Sequence, residues 1–155
     1  MGFSPSSPVT GGAQTGLTSP TYTIVSATAP DTNGKQFAVT ALGGTQTGVT
    51  AHSVARPFTT TAWIPKTFKV LGTPNPATGV IPNVPNNEYK IITRKGVLPL
   101  VDQPNKVAHV TTTIAVPAGA DATDPEDIRA MLSLHFGILS AESADIGDMV
   151  IDGLL

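Results

Sequence analysis

Residues 108–140 read AHVTTTIAVPAGADATDPEDIRAMLSLHFGILS, and a change of period inside this stretch decides the fold. From Ala108 to Val116 the side chains obey period two, which sets His109, Thr111 and Thr113 on one face of a strand against Val110, Thr112 and Ile114 on the other. At Thr123-Asp124-Pro125-Glu126-Asp127 a helix starts: a capping Thr or Asp, a proline tolerated in the first turn, and acids near the positive end of the dipole. Ile128, Met131, Leu132, His135, Ile138 and Leu139 then follow a spacing of three and four, while Leu134 and Phe136 widen the apolar face beyond what one sheet covers. After Ser140–Ser143 a second short helix is expected, with Ile146, Met149 and Val150 as its stripe. The ending Gly153-Leu154-Leu155 is apolar enough to be expected in a docked position.

Upstream of this boundary the chain is β-rich. Thr21–Thr28 (TYTIVSAT) and Lys35–Leu42 (KQFAVTAL) flank Pro30-Asp31-Thr32-Asn33-Gly34, where Asn-Gly is expected to supply the positive φ of a hairpin turn. Gly48–Val54 is a third expected strand, following a break at Gly43-Gly44, and the glycine cluster from Gly43 to Gly48 reads as a turn. Phe58–Val70 is expected as a long strand with a bulge or unpaired edge at Pro65, since proline cannot donate to a ladder. Residues 72–87 contain Pro74, Pro76, Pro82 and Pro85 and form a connector. Glu88–Gly96 (EYKIITRKG) and Ala108–Val116 are the last two strands, joined by a Pro-containing loop from Val97 to Lys106 of a length that calls for a contact or a function.

Strands followed by helices, with no strand after them, give an α+β fold: an antiparallel sheet of five strands plus an N-terminal hairpin, then two C-terminal helices. A single domain is expected over residues 1–155, with an arm at 1–20, a sheet region at 21–116 and helices at 123–155. Two short helices cover only part of such a sheet, and a helix with an over-wide apolar face needs a second surface. Both needs are met by a dimer in which each subunit lays its helices over its partner's sheet.

Composition narrows the function. Of the 155 residues 40% are apolar, but only 13% are charged, about half the usual share for soluble domains; burial of much of the surface in an assembly is the expectation. There is no cysteine, so no disulfide framework and no thiolate metal site. The first thirty residues lack a basic start followed by an apolar run, and no stretch approaches a membrane span, so a soluble, unprocessed protein made in the cytoplasm is expected. The net charge of -2 hides a segregation. Residues 56–106 carry seven bases against two acids, a net +5, whereas residues 107–155 carry eight acids against Arg129, a net -7. A basic sheet and an acidic helical end would give the two faces of a layer opposite characters.

No phosphate loop, dinucleotide fingerprint, nucleophile elbow or zinc-protease helix is present. His52, His109 and His135 are isolated in sequence, and the acids at Asp121, Asp124, Glu126 and Asp127 lack calcium-loop spacing; neither an enzyme nor a metal or cofactor site is expected. The strand Glu88–Gly96 is more informative, because period two sets Lys90, Ile92 and Arg94 on one face with Tyr89, Ile91 and Thr93 on the other. Together with His109, Thr111 and Thr113 this makes a positive, hydrogen-bonding face, suited to neutralising phosphates and seating unpaired bases.

From about residue 20 onward the chain resembles the coat proteins of single-stranded RNA bacteriophages of the levivirus type. The likeness lies in the turn Asp31-Thr32-Asn33-Gly34-Lys35-Gln36, the strand containing Glu88-Tyr89-Lys90-Ile91, the passage from Thr123-Asp124-Pro125-Glu126 into Ile128-Arg129-Ala130-Met131-Leu132, and Ser143-Ala144-Asp145-Ile146-Gly147-Asp148. The resemblance implies an intertwined homodimer with two sheets joined edge to edge, helices clasping the partner opposite the RNA, and an icosahedral shell around the genome in the virion, made in the bacterial host's cytoplasm. It implies that Val97–Lys106 changes conformation at symmetry axes, and that the inner sheet binds a genomic stem-loop, repressing translation. Carried over by position, Lys90, Arg94, His109 and Thr111 are the candidate RNA-binding residues, with Lys66 and Lys69 as secondary ones. The arm at 1–20 and the connector at 72–87 depart from the family pattern, and the arm is expected to contact a neighbouring subunit. The competing reading is a β-rich adhesin or spike-like module without nucleic acid, which would need neither the helices nor the charge segregation.

Overall fold

A computed structural model describes residues 2–155. Six antiparallel strands form one meandering sheet in sequence order: β1 (Val9–Thr10), β2 (Thr18–Ala27), β3 (Gly34–Thr45), β4 (Phe58–Trp63), β5 (Asn86–Val97) and β6 (Lys106–Pro117). Three helices follow, α1 (Ala120–Thr123), α2 (Pro125–Ala141) and α3 (Ser143–Asp152). The architecture is therefore the α+β arrangement expected, with the hairpin β2–β3 incorporated in the sheet and a two-residue strand of the arm added at its edge.

The local chemistry differs from expectation at three places. Asn33 and Gly34 both keep negative φ, because the connection is longer than a two-residue hairpin and closes by a Gly34 N–H bond to the Asp31 carbonyl at 3.2 Å. Gly34 serves a different purpose: a Cβ there would lie 2.9 Å from the Trp63 ring, so its bareness lets the indole approach. Gly43-Gly44 does not break the strand either; β3 continues through it to Thr45, and the turn falls at Gln46–Val49. Gly48–Val54 is consequently not a strand, since the chain there is already turning back. It is held through His52, whose N–H donates to the Val39 carbonyl at 2.7 Å and whose Nδ1 accepts from the Phe58 N–H at 3.0 Å. Finally β4 ends at Trp63, two residues before Pro65, so Phe58–Val70 is one short strand and not a long interrupted one. Asn33 caps this exit, its side-chain amide donating to the Ile64 carbonyl at 2.6 Å.

The helix boundary falls where the sequence placed it, with Asp124 as the capping position and Pro125 in the first turn. The Asp124 carboxylate makes no capping hydrogen bond, so its contribution there is that of a charge near the dipole. Within the described residues the buried apolar core is small: Ala38, Val39, Val116 and Ala118. Met131, Leu134, Phe136, Ile138 and Leu139 of α2 are exposed, as are Leu154 and Leu155, which are not docked on this chain. A domain of this size ordinarily buries about two thirds of its unfolded surface; here large apolar side chains stay in solvent instead.

Candidate nucleic-acid interface

Cross-strand register builds the site. Lys90, Ile92 and Arg94 of β5 stand opposite Thr113, Thr111 and His109 of β6, and opposite Trp63, Thr61 and Thr59 of β4. Since directly opposed residues share a face, Lys90, Arg94, His109 and Thr111 lie on one surface of the sheet. Lys90, His109 and Thr111 are exposed and Arg94 is half-buried. Beneath them Thr61 is completely enclosed; its hydroxyl donates to Gln36 Oε1 at 3.0 Å and faces Arg94 Nη1 at 3.5 Å. The Arg94 guanidinium also sits 5.4 Å from the centroid of the Trp63 ring. A packed threonine, an indole face and a glutamine thus fix the direction of Arg94, which lowers the entropy lost when it meets a ligand.

Lys66 joins this surface although it lies in the irregular segment after β4. Asp31, Asn33, Trp63, Lys66, Lys90 and Arg94 line an open depression of about 380 Å³. Two acids enter it: Asp31 pairs with Lys66 at 3.1 Å and Glu88 with Lys90 at 3.9 Å. Both pairs are solvent-exposed, and such pairs contribute only about 0–1 kcal/mol, so a phosphate can take either cation. Lys69 is a different case. Its N–H and carbonyl are tied to the Asn87 side chain at 2.8 and 3.0 Å, and it does not line the depression. The early end of β4 removes it from the register that a longer strand would have given.

The other face is apolar. Tyr89, Ile91, Ile114 and Val116 point toward α2, whose Ile128 and Leu132 stand across a cavity of about 640 Å³. Lys95, displaced by one residue from Arg94, belongs to this face. It donates to the Thr50 carbonyl and hydroxyl at 2.6 and 2.9 Å and lies 4.8 Å from the Phe58 centroid. Burial, and then the neighbouring Arg56, hold its pKa below the usual lysine value.

Sequence reading missed Trp63, Thr61 and Gln36 as members of the site. The alternation Thr59, Thr61, Trp63 was visible, but the register of β4 against β5 is a tertiary fact and is what places the chain's one tryptophan beside Arg94.

The fold and the two unlike faces define a class, a sheet-and-helix protein suited to forming a two-sided layer, and comparison with known proteins narrows it. No family model and no curated protein sequence matches the chain. Among solved structures it is similar to the virus-like particle of bacteriophage ESE020, at 56% identity and a TM-score of 0.97, covering 99% of this chain and 100% of that one. The virus-like particles of Beihai levi-like virus 32 and Wenzhou levi-like virus 4 share the fold at 17% identity, with TM-scores of 0.53 and 0.52 and coverage of 86% and 93% of this chain, 88% and 85% of theirs. The chain belongs to the coat proteins of the single-stranded RNA bacteriophages.

Proposed function

We propose that this coat protein forms a homodimer, that such dimers close an icosahedral shell in the virion, and that the Lys90–Arg94–His109–Thr111 face lines the inside and binds single-stranded phage RNA. The observation that carries the reading is the opposition of the two sheet faces. One is open, basic and hydroxyl-bearing; the other carries an apolar cavity under a helix whose outer apolar residues are exposed. A layer with these faces is suited to holding phosphates on one side and protein on the other.

Dimerisation is supported by β6. It is a twelve-residue strand at the free edge of the sheet, and a long uncovered edge of this kind pairs readily with another strand. Pairing of two β6 strands would give one continuous sheet and bring the exposed face of each α2 to the partner. The RNA face combines Arg94, whose guanidinium suits a phosphate, with Trp63 and hydroxyl side chains able to hold unstacked bases. Binding of a genomic stem-loop there would repress translation of the gene it precedes.

The test is expression of the chain alone in bacteria, followed by electron microscopy and the absorbance spectrum of the purified product. Closed particles of uniform size with a nucleic-acid absorbance peak are the expected result. A monomer free of RNA would overturn the reading and favour the adhesin-like alternative.

A further inference from the structure

Between Phe3 and Thr15 the N-terminal arm touches its own chain at several points while most of its side chains stay exposed. Phe3 meets the edge of Phe37 at 6.0 Å between ring centroids, and its carbonyl accepts from Lys35 Nζ at 3.3 Å. Ser7 Oγ accepts from the Ile24 N–H at 3.0 Å, Val9 and Thr10 pair with Tyr22 and Thr21, and the Gly11 N–H reaches the Pro20 carbonyl at 2.9 Å. The arm then leaves the sheet edge and binds α3. Gln14 Nε2 donates to the carbonyl and hydroxyl of Ser143 at 2.6 and 2.9 Å, and the Thr15 hydroxyl donates to Asp148 Oδ2 at 2.9 Å.

Each partner of this contact presents a glycine to the other. A Cβ on Gly12 would lie 2.9 Å from Ser143 Cβ, and a Cβ on Gly147 would collide with the Gln14 amide. Gly147 sits in the interior of a helix, where glycine is otherwise unfavourable, so the close approach accounts for it.

The placement of this contact matters. The helices leave the sheet at β6, one edge, whereas the arm that holds α3 is paired to β2 at the other edge. The 17 residues of α2 span about 25 Å, which matches the ~24 Å width of six strands. The helical segment is therefore a bridge fastened at both ends, and the cavity of about 640 Å³ lies beneath it. We propose that residues 2–17 are an intrachain strap that closes this bridge and locks the dimer, because α2, whose exposed apolar face meets the partner, cannot swing away until the arm releases α3. This inference rests on the dimer reading above.

Two experiments on the full chain test it. In the first, Thr15→Cys with Asp148→Cys, at two side chains that meet at 2.9 Å, is oxidised, in a protein that has no other cysteine. A disulfide within one chain, running on a non-reducing denaturing gel as a compact monomer, is expected. A covalent dimer, or no link, overturns the strap. In the second, isotope-labelled and unlabelled proteins are mixed and hybrid dimers followed by native mass spectrometry. Gln14→Ala with Thr15→Ala is expected to raise the exchange rate by roughly tenfold or more, from the loss of the hydrogen bonds to α3. The oxidised cysteine pair is expected to exchange more slowly than the same protein reduced, which keeps the test decisive if the alanine variant is insoluble. Dimers whose exchange is indifferent to both changes would overturn the lock alone; a monomeric mass in the unmodified protein would overturn the dimer reading.

Discussion

Arg94 of β5 and His109 of β6 are direct cross-strand partners, placing a guanidinium and an imidazole side by side on the open face of the sheet. Lys90 lies on the same face, four residues before Arg94 and opposite Thr113. Arg94→Ala and Lys90→Ala are each expected to weaken RNA binding at all sequences. Each should lower the slope of log affinity against log salt by about 0.7, the contribution of one phosphate contact to a single strand. Filter binding across a salt series measures this, and an unchanged slope in both variants would remove these residues from the interface.

Thr61 is the enclosed support of Arg94. In Thr61→Val the shape is kept, but Gln36 Oε1 loses its donor, and stranding such a group costs about 1–3 kcal/mol. Denaturant unfolding should show this loss, together with weaker RNA binding through a less well held Arg94. Equal stability of the variant would show that water replaces the hydroxyl.

Gly34→Ala tests the approach of the indole. The added methyl meets the Trp63 ring, so the ring must shift or the turn must open. Overpacking of this sort costs about 1–3 kcal/mol. Because Trp63 is the chain's one tryptophan, a change in its intrinsic emission should accompany the drop in stability.

Leu132→Glu puts a carboxylate into the apolar cavity beside Ile114 and Val116. A second copy could no longer fill that space without burying the charge, an effective penalty of several kcal/mol. The expected product is a folded subunit that sediments as a monomer and forms no particles, with circular dichroism close to that of the parent. Intact particles would show that the cavity is filled by something other than the partner.

Much of the site was legible because strand geometry is local. Period two alone set Lys90 with Arg94, and His109 with Thr111, before any register was known. Lys66 and Lys69 could not be separated in this way. Both follow Pro65, and only the end of β4 at Trp63 and the Asn87 contact determine which one reaches the depression. The Asn33-Gly34 turn shows the same limit, since a pattern that suits positive φ serves here for closeness to the Trp63 ring, distant in sequence but directly opposite across β3 and β4.

By itself the sequence determined that a β-rich part is followed by a helical one, the helix start at Asp124-Pro125, the segregation of +5 from -7, and the two-sidedness of β5 and β6. These follow from side-chain periodicity and charge, which act over a few residues. The tertiary structure decided that Trp63 and Thr61 stand beneath Arg94, that β3 passes through Gly43-Gly44, and that the arm closes on α3. Those relationships join residues as far apart as Gln14 and Ser143, and they depend on strand register and on the packing of backbones that only a folded chain brings together.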